Sequence, residues 1–267
     1  MSLTAVSSGN ADSRYVCGPS SKTGRSLAEE APVAFEFNGL AYAVMMASPR
    51  DLEDYAAGFT LSEGLVDRVD AIEQIDVAQV ERGTVLRIRL PESAAEPLRE
   101  RLRLRLVEGS CGLCGLDSID EVLRPLEPLD RPPMISAAAI ERAVGALREH
   151  QPAGRATGAM HAGAFCDADG TVVAVREDIG RHNALDKLTG HLARTRIDSG
   201  QGFILLTARC SYELVEKTVR ARCPALVTVS AASDLAVSRA KDARLTLVSL
   251  ARADGAVAMN DPYGRFG

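Results

Sequence analysis

The sequence contains no tryptophan, and aromatic residues make up only 4% of its 267 positions. Proteins that bind single-stranded nucleic acid without sequence preference stack the bases on aromatic side chains, so this scarcity argues against such a platform. Positive charge does not compensate, because Lys and Arg total 31 against 36 for Asp and Glu, which gives a net charge of -5. A mildly acidic chain is a poor electrostatic partner for nucleic acid. We therefore expect no nucleic-acid partner.

Long hydrophobic runs are also missing. No apolar stretch approaches the roughly 18 residues that a membrane-spanning helix needs. The first residues, MSLTAVSSGNADSR, have neither the basic region nor the apolar core of a secretory signal. Six cysteines in a chain of this length do not form a disulfide scaffold. We expect no membrane partner and a cytoplasmic location, where closely spaced cysteines are typical of catalysis or metal binding.

The composition is that of a globular protein, with 46% hydrophobic and 25% charged residues. Its length suggests one large domain or two small ones. Residues 1–30 are rich in Ser, Gly and charge without periodicity, which predicts a disordered tail. Residues 124–133 hold four prolines and are predicted to be a linker. The chain is thereby divided into an N-terminal domain, 31–123, and a C-terminal domain, 134–267.

The smaller N-terminal domain shows an α+β pattern. Apolar residues alternate on both sides of Asn38-Gly39, which predicts a hairpin with a type I′ turn. A helix is expected next, with Ser48 as its N-cap and Pro49 at its first position. Residues 72–90 resemble a second antiparallel pair with a turn at Arg82-Gly83. Residues 95–107 fit a helix or a strand.

The C-terminal domain alternates helices and short apolar strands. We expect a helix capped by Ser136 and closed by Pro152, strands at 171–176, 203–207, 225–230 and 245–250, and helices at about 182–192, 211–222 and 233–242. Nearly continuous apolar strands separated by helices are typical of a mainly parallel sheet buried on both faces. The fold class is therefore α/β.

Cys111-Gly-Leu-Cys114, with glycine on both sides, is the strongest local motif. A zinc site needs a second ligand pair at motif spacing, and none follows. A thioredoxin-like redox pair usually opens a helix, which the glycines and Asp117-Ser118 disfavour. Inert structural cysteines do not prefer glycine-rich loops. Accessible sulfur nucleophiles do suit such a loop, so a sulfur carrier is favoured over these three alternatives.

Two further segments carry polar side chains that are candidates for ligand binding. Asp178, Arg181, His182 and Asn183 follow the strand at 171–176, where open α/β sheets place ligands. The alternative is an Asp178 N-cap on a solvated turn. His161 lies among small residues, which suits a ligand and a buried structural histidine equally well.

Arginine alternates with leucine just upstream of the two cysteines, at Arg99, Arg101, Arg103 and Arg105. In a strand these four side chains would share one face. A solvated face is the plain interpretation. Beside the thiols, the same row would attract an anion such as phosphate.

The motifs CGLCG, TGAMHAGA, EDIGRHNALDK, SYELVEK and VSAASDLAVSRA together resemble those of the FdhD family of formate dehydrogenase accessory sulfurtransferases, over about residues 31–260. EDIGRHNALDK is the most specific of them. The resemblance implies a C-terminal three-layer α/β/α domain similar to cytidine deaminase. Members of that family resemble cytoplasmic homodimers. They take persulfide sulfur from a cysteine desulfurase and deliver it to Mo-bis(molybdopterin guanine dinucleotide), which then enters formate dehydrogenase.

The resemblance also suggests site residues. The first cysteine of the family motif carries the persulfide and corresponds to Cys111, with Cys114 as a relay or resolving thiol. The family's cofactor-binding stretch corresponds to Leu250, Ala251, Arg252, Ala253, Asp254 and Gly255. We expect this stretch, His161 and the 177–183 turn to bind the molybdenum cofactor as substrate, with a guanine nucleotide as partial mimic. A non-catalytic chaperone that only binds and hands over the cofactor is the alternative.

No resident metal is expected, despite the implied deaminase-like fold. Zinc deaminases place Glu two positions after the first ligand and a Pro-Cys-x-x-Cys downstream. Here Gly163 stands two positions after His161, and the paired cysteines lie upstream of it. We therefore expect neither stoichiometric zinc nor deaminase activity.

Overall fold

A computed structural model describes residues 26–96, 98, 99, 102 and 124–267. The expected tail up to residue 25, Arg101, Arg103, Arg105 and the two motif cysteines lie outside these ranges. The described strands are β1 (Ala31–Phe37), β2 (Leu40–Ala47), β3 (Gln74–Val80), β4 (Gly83–Arg89), β5 (His161–Asp167), β6 (Val172–Asp178), β7 (Gly202–Leu206), β8 (Ala225–Thr228), β9 (Thr246–Arg252) and β10 (Gly255–Asn260). The described helices are α1 (Leu52–Ser62), α2 (Ala137–Leu147), α3 (Pro152–Thr157), α4 (Arg181–Arg194), α5 (Tyr212–Arg220) and α6 (Asp234–Asp242).

The first sheet has the strand order β2-β1-β4-β3, and both expected hairpins are present. Asn38 and Gly39 have positive φ angles, as a type I′ turn requires. Helix α1 packs on the inner face, where the rings of Phe35 and Phe59 stack with centroids 4.0 Å apart. The predicted cap of this helix was wrong. Its N-cap is Asp51, because Ser48 is engaged in tertiary hydrogen bonds instead.

The second sheet has the order β10-β9-β8-β7-β5-β6, and the prediction of a mainly parallel sheet is corrected. Strands β7, β8 and β9 pair in parallel, while the other three pairings are antiparallel. The sequence did not indicate β5, which begins inside TGAMHAGA, because small residues give no apolar alternation. Strand β10 was missed because Gly255 was assigned to a binding stretch.

Both faces of this sheet are covered by helices, so the expected three-layer α/β/α architecture is confirmed. Ile204 in β7 faces the layer formed by α4, α5 and α6. Its neighbour Leu205 faces α2 on the other side. Ser136 accepts a hydrogen bond from the amide of Ala139 and caps α2, as expected.

The two sheets are joined through α1 and α4, which pack against each other at glycines. A Cβ atom on Gly58 would lie 1.7 Å from the carbonyl oxygen of Asp186, and one on Gly190 would lie 1.9 Å from that of Asp54. Only glycine allows backbones to approach this closely. The N-terminal domain therefore packs directly against α4, the helix that follows β6.

The proline-rich segment 124–133 contains no helix or strand and packs on the C-terminal domain. Leu129 is buried, and its amide donates to the carbonyl of Ala243. Between 95 and 102, the described residues are helical, and Arg99 pairs with Glu96 at 3.4 Å. The strand interpretation is wrong for these described residues, whereas the shared arginine face involves Arg101, Arg103 and Arg105, which lie outside the described residues.

Candidate functional site

The candidate site lies along one edge of the second sheet. Strands β6, β7, β8 and β9 run in the same direction, so their carboxyl ends and the starts of α4, α5 and α6 meet at that edge. His161 opens β5 at the same edge and pairs with Asp178 across the strands. The 250–255 turn lies at the other end, four strand spacings away, or about 19 Å from β6. We call this line of strand ends the carboxyl edge.

Asp178 is fully buried and forms a hub beneath the carboxyl edge. One carboxylate oxygen accepts from Gly180 and Asn183, and the other accepts from Ser48 and Lys187. This carboxylate has no accessible surface left for a ligand. The expectation that Asp178 contacts the cofactor is therefore corrected, because it is part of the framework.

Asn183 belongs to the same framework and is 3% exposed. Its amide nitrogen donates to Asp178 and to the carbonyl of Met46. Its amide oxygen accepts from the hydroxyl of Tyr55 at 2.7 Å. Asn183 thus ties α4 to β2 and α1, and the expected ligand contact is corrected for this residue as well.

Arg181 occupies the first position of α4, on the accessible side of the hub. Its Nε atom is buried, and no hydrogen bond or ion pair engages the guanidinium within the described residues. The N-cap of this helix, Gly180, offers no side-chain cap, so the helix end also has free amide donors. A buried donor without a partner is costly, and a bound anion would satisfy it.

His182 is held by the start of the next helix. Its Nε2 lies 2.7 Å from the Oε2 atom of Glu213 and 3.3 Å from the hydroxyl of Ser211. The hydrogen bond from His182 holds the pKa of Glu213 below its usual range, so this carboxylate is ionised at neutral pH. His182 remains partly exposed at the carboxyl edge.

His161 lies within the electrostatic field of these side chains. Burial lowers its pKa below the ordinary value, and the charges of Arg181 and His182 lower it further. The imidazole is therefore neutral at pH 7, with one ring nitrogen able to donate a hydrogen bond and the other able to accept one. The structure brings His161, Arg181 and His182 together.

The 250–255 segment forms the end of β9, a turn and the start of β10. Ala251 is buried, while Arg252, Ala253, Asp254 and Gly255 are exposed. Leu250 has a positive φ of 56° and donates its amide to Ser230 in the neighbouring loop. The arginine and the turn are thus accessible, whereas Ala251 contributes to the core.

The described cysteines are unsuited to sulfur chemistry. Cys166, Cys210 and Cys223 are buried free thiols, and burial raises the pKa of each to about 12. A thiol must ionise to act as a nucleophile. These three side chains are therefore inert at neutral pH.

Sequence reasoning missed five residues that shape the site. Glu213 and Ser211 were quoted only as part of a motif, although an acid just after a strand-to-helix turn at the same edge is a usable signal. Lys187, Tyr55 and Ser48 carried no such signal, because their role depends on contacts between the two domains.

Fold and site together define an α/β protein with two sheets, a three-layer domain and a polar carboxyl edge. In the described part of the chain, no helix is long and apolar enough to cross a membrane. No group of three or more His, Cys, Asp or Glu side chains is arranged there to hold a metal ion.

The family assignment follows from comparison with known proteins. Residues 28–262 match the model of the FdhD/NarQ family, and the chain belongs to this family. It is 45% identical over 249 residues to the sulfur carrier protein FdhD of Xanthomonas euvesicatoria pv. vesicatoria, covering 93% of this chain and 89% of the relative. It is 44% identical over 237 residues to the protein of the same name from Variovorax paradoxus, covering 89% and 85%.

A solved structure shares the fold. A crystal structure assigned to a formate dehydrogenase accessory protein from Desulfotalea psychrophila superposes with a TM-score of 0.68. The match covers 90% of each chain at 23% sequence identity. At this identity the likeness concerns the fold alone.

Proposed function

We propose that this chain is a sulfurtransferase that passes persulfide sulfur from a cysteine desulfurase to Mo-bis(molybdopterin guanine dinucleotide), for use by formate dehydrogenase. The names of its FdhD relatives, which are sulfur carriers, support the sulfur chemistry. We further propose that it acts in the cytoplasm as a homodimer.

The observation that carries the cofactor half of the proposal is the unpaired Arg181. Its guanidinium stands beside the uncapped start of α4, and both features favour a negatively charged ligand. The exposed Arg252 lies on the same edge about 19 Å from β6, at the far end. An elongated polyanion with nucleotide arms fits such an edge better than a small ligand does.

The sulfur half assigns the nucleophile to Cys111, which corresponds to the first cysteine of the family motif, and the buried Cys166, Cys210 and Cys223 are unsuited to that role. The Cys111 thiolate attacks the outer sulfur of the desulfurase persulfide. The donor's sulfur–sulfur bond breaks, a new one forms on Cys111, and the desulfurase leaves as a thiolate. Cys114 is the relay or resolving thiol.

Mass spectrometry of the intact chain tests the transfer. After incubation with a desulfurase and cysteine, the chain is expected to gain 1 sulfur (about 32 Da, one persulfide by exchange chemistry) on Cys111. The gain is expected to vanish in Cys111→Ala. A chain that gains no sulfur while still activating formate dehydrogenase would contradict the proposal.

A non-catalytic chaperone that binds and hands over the molybdenum cofactor remains the second candidate. The unpaired Arg181 favours ligand binding in either case. The two candidates differ in the sulfur measurement, because a chaperone carries no persulfide and tolerates the loss of Cys111.

A further inference from the structure

Opposite charges face the solvent side by side at the carboxyl edge without contacting each other. Arg181 and Glu213 begin two neighbouring helices, α4 and α5. The described residues include no ion pair between them, although the arginine's charge helps lower the pKa of the glutamate. A ligand that has an anionic group and a pair of hydrogen-bond donors would satisfy both side chains at once.

Glu213 has the features of a recognition group. Its side chain is 45% exposed, and its Oε2 atom is held by His182 at 2.7 Å. Within the described residues its second oxygen, Oε1, accepts no hydrogen bond. The carboxylate is therefore ionised, oriented and open on one side.

Three other carboxylates near this edge are already engaged, while the exposed Asp254 lies in the 250–255 turn about 19 Å from β6. Asp178 accepts four hydrogen bonds and is buried. Glu177 accepts from the amides of Ala153 and Gly154 at the start of α3. Asp234 accepts from the amide of Leu235 in its own helix. Glu213 is the acid whose position and free oxygen best suit a ligand.

We propose that Glu213 is the residue that selects guanine, by accepting hydrogen bonds from the ring N–H and the exocyclic amine of the base while Arg181 takes a phosphate. This assignment rests on the proposed function, which supplies a cofactor with guanine dinucleotide arms. His182 acts as a positioning residue, because it fixes the carboxylate rather than touching the base.

The chemistry of the bases explains the selection. Guanine presents two adjacent donors, N1–H and the 2-amino group, to a carboxylate. Adenine presents the N1 lone pair at the same place, which an ionised carboxylate repels. Hypoxanthine retains N1–H and lacks the amine. A carboxylate placed to accept from two donors therefore favours guanine over a base that offers it only one donor or a lone pair.

Titration of the full chain with guanosine, inosine and adenosine diphosphates, followed by calorimetry, tests the proposal. In the unaltered chain we expect affinity to fall in that order. In Glu213→Gln, which keeps the size of the side chain, we expect the preference for guanosine over adenosine diphosphate to shrink by about tenfold or more, the usual scale for a paired base contact. Glu141→Gln, an exposed change on α2, is the matched control for loss of one negative charge.

Retention of the full guanine preference in Glu213→Gln would overturn the assignment, as would equal affinity for the guanosine and adenosine nucleotides in the unaltered chain. Loss of binding in Glu213→Gln for both nucleotides alike would also overturn it, since a base-reading residue does not act on the shared diphosphate. Persulfide loading of Cys111 is measured on the same variants. If base selection fails while Cys111 still gains persulfide, the Glu213 assignment is wrong and the sulfurtransferase proposal is unaffected. If Cys111 gains no persulfide, the sulfurtransferase proposal is refuted.

Discussion

Asp178 and Lys187 form an ion pair of 2.6 Å in which neither side chain is exposed to solvent. Lys187 also donates to the carbonyl of Ser48 at the end of β2, and Asp178 accepts from the amide of the same residue. The pair therefore joins the first sheet to the start of α4. It fixes the helix whose first residues, Arg181 and His182, form the candidate site.

Removal of the lysine charge is expected to be severely destabilising. In Lys187→Met the Asp178 carboxylate stays buried without its counter-charge, and breaking such a pair costs about 3–5 kcal/mol. Urea denaturation measures the free energy of unfolding. Arg196→Met, on a side chain that is 83% exposed, is the control and is expected to change it by less than about 0.5 kcal/mol. A Lys187→Met variant as stable as this control would show that the pair does not hold the domains together.

The glycine contact between α1 and α4 gives a second prediction. Gly190→Ala places a methyl group 1.9 Å from a backbone carbonyl, so the helices must separate. Overpacking of this kind costs about 1–3 kcal/mol or more, despite alanine's better helix propensity. Gly145→Ala in α2 has nothing within 4 Å of its new methyl group and is expected to raise stability by about 0.5–1 kcal/mol. Thermal unfolding of both variants should give shifts of opposite sign, and equal shifts would contradict the close approach.

Local patterns predicted most of the regular structure. The Asn38-Gly39 turn, the Ser136 cap and the apolar strands at 203–207 and 225–230 all depend on residues near in sequence. The helix starting near 182 was found for the same reason. The sequence did not indicate β5, because its alanines and glycines make the strand by pairing on both sides rather than by their own pattern.

The candidate site was predicted in part. The strand-to-helix turn at 177–183 was correctly singled out as polar and placed at a strand end. Sequence alone did not separate Asp178 and Asn183, which face inward to Ser48 and Tyr55, from Arg181 and His182, which face outward. Which of these side chains face inward is decided by the packing of the N-terminal domain against α4, and no local sequence pattern indicates that packing.

The neutral state of His161 gives a pH prediction. Burial and the Arg181 charge lower its pKa below 6.5, the unfolded value, so the unfolded chain binds a proton more readily. Stability from this group is complete above pH 6.5 and falls as the pH drops from 6.5 toward the folded pKa. NMR titration of the imidazole is expected to show this lowered pKa, and Arg181→Met should raise it without fully restoring it. A pKa at or above 6.5 in the unaltered chain would refute the assignment.

Arg181 should matter for binding and not for stability. Its buried Nε lacks a partner, so Arg181→Met removes an unsatisfied donor and is expected to leave the unfolding free energy equal or higher. The same change is expected to weaken the binding of guanosine diphosphate by about tenfold, because a charged contact to the phosphate is lost. Arg252→Ala should also weaken it, whereas Arg196→Met at the opposite end of α4 should not. A ligand that binds the folded chain raises its melting temperature by mass action. The rise produced by guanosine diphosphate therefore compares binding in all three variants. If guanosine diphosphate raised the melting temperature of Arg181→Met and of the unaltered chain equally, Arg181 would not be part of the binding site.

The thiols should divide into one essential carrier, one helper and a dispensable remainder. Cys166, Cys210 and Cys223 are buried with a raised pKa of about 12, so their alanine variants are expected to load persulfide normally. Cys17 is expected to be dispensable too. Cys111→Ala should abolish both loading and activation of formate dehydrogenase.

Cys114→Ala should behave differently, because a neighbouring thiolate is able to attack a persulfide on Cys111. That attack breaks the sulfur–sulfur bond of the persulfide, forms a Cys111–Cys114 disulfide and releases sulfide. Without Cys114 this release of sulfide cannot occur, so the Cys111 persulfide is expected to live longer. Activation of formate dehydrogenase is expected to fall, because the relay thiol is missing. Mass spectrometry over time and a formate dehydrogenase assay separate the two effects. Persulfide trapped on Cys114 in Cys111→Ala, with activation retained, would reverse the roles. Activation by the double variant would show that the sulfur does not pass through these cysteines at all.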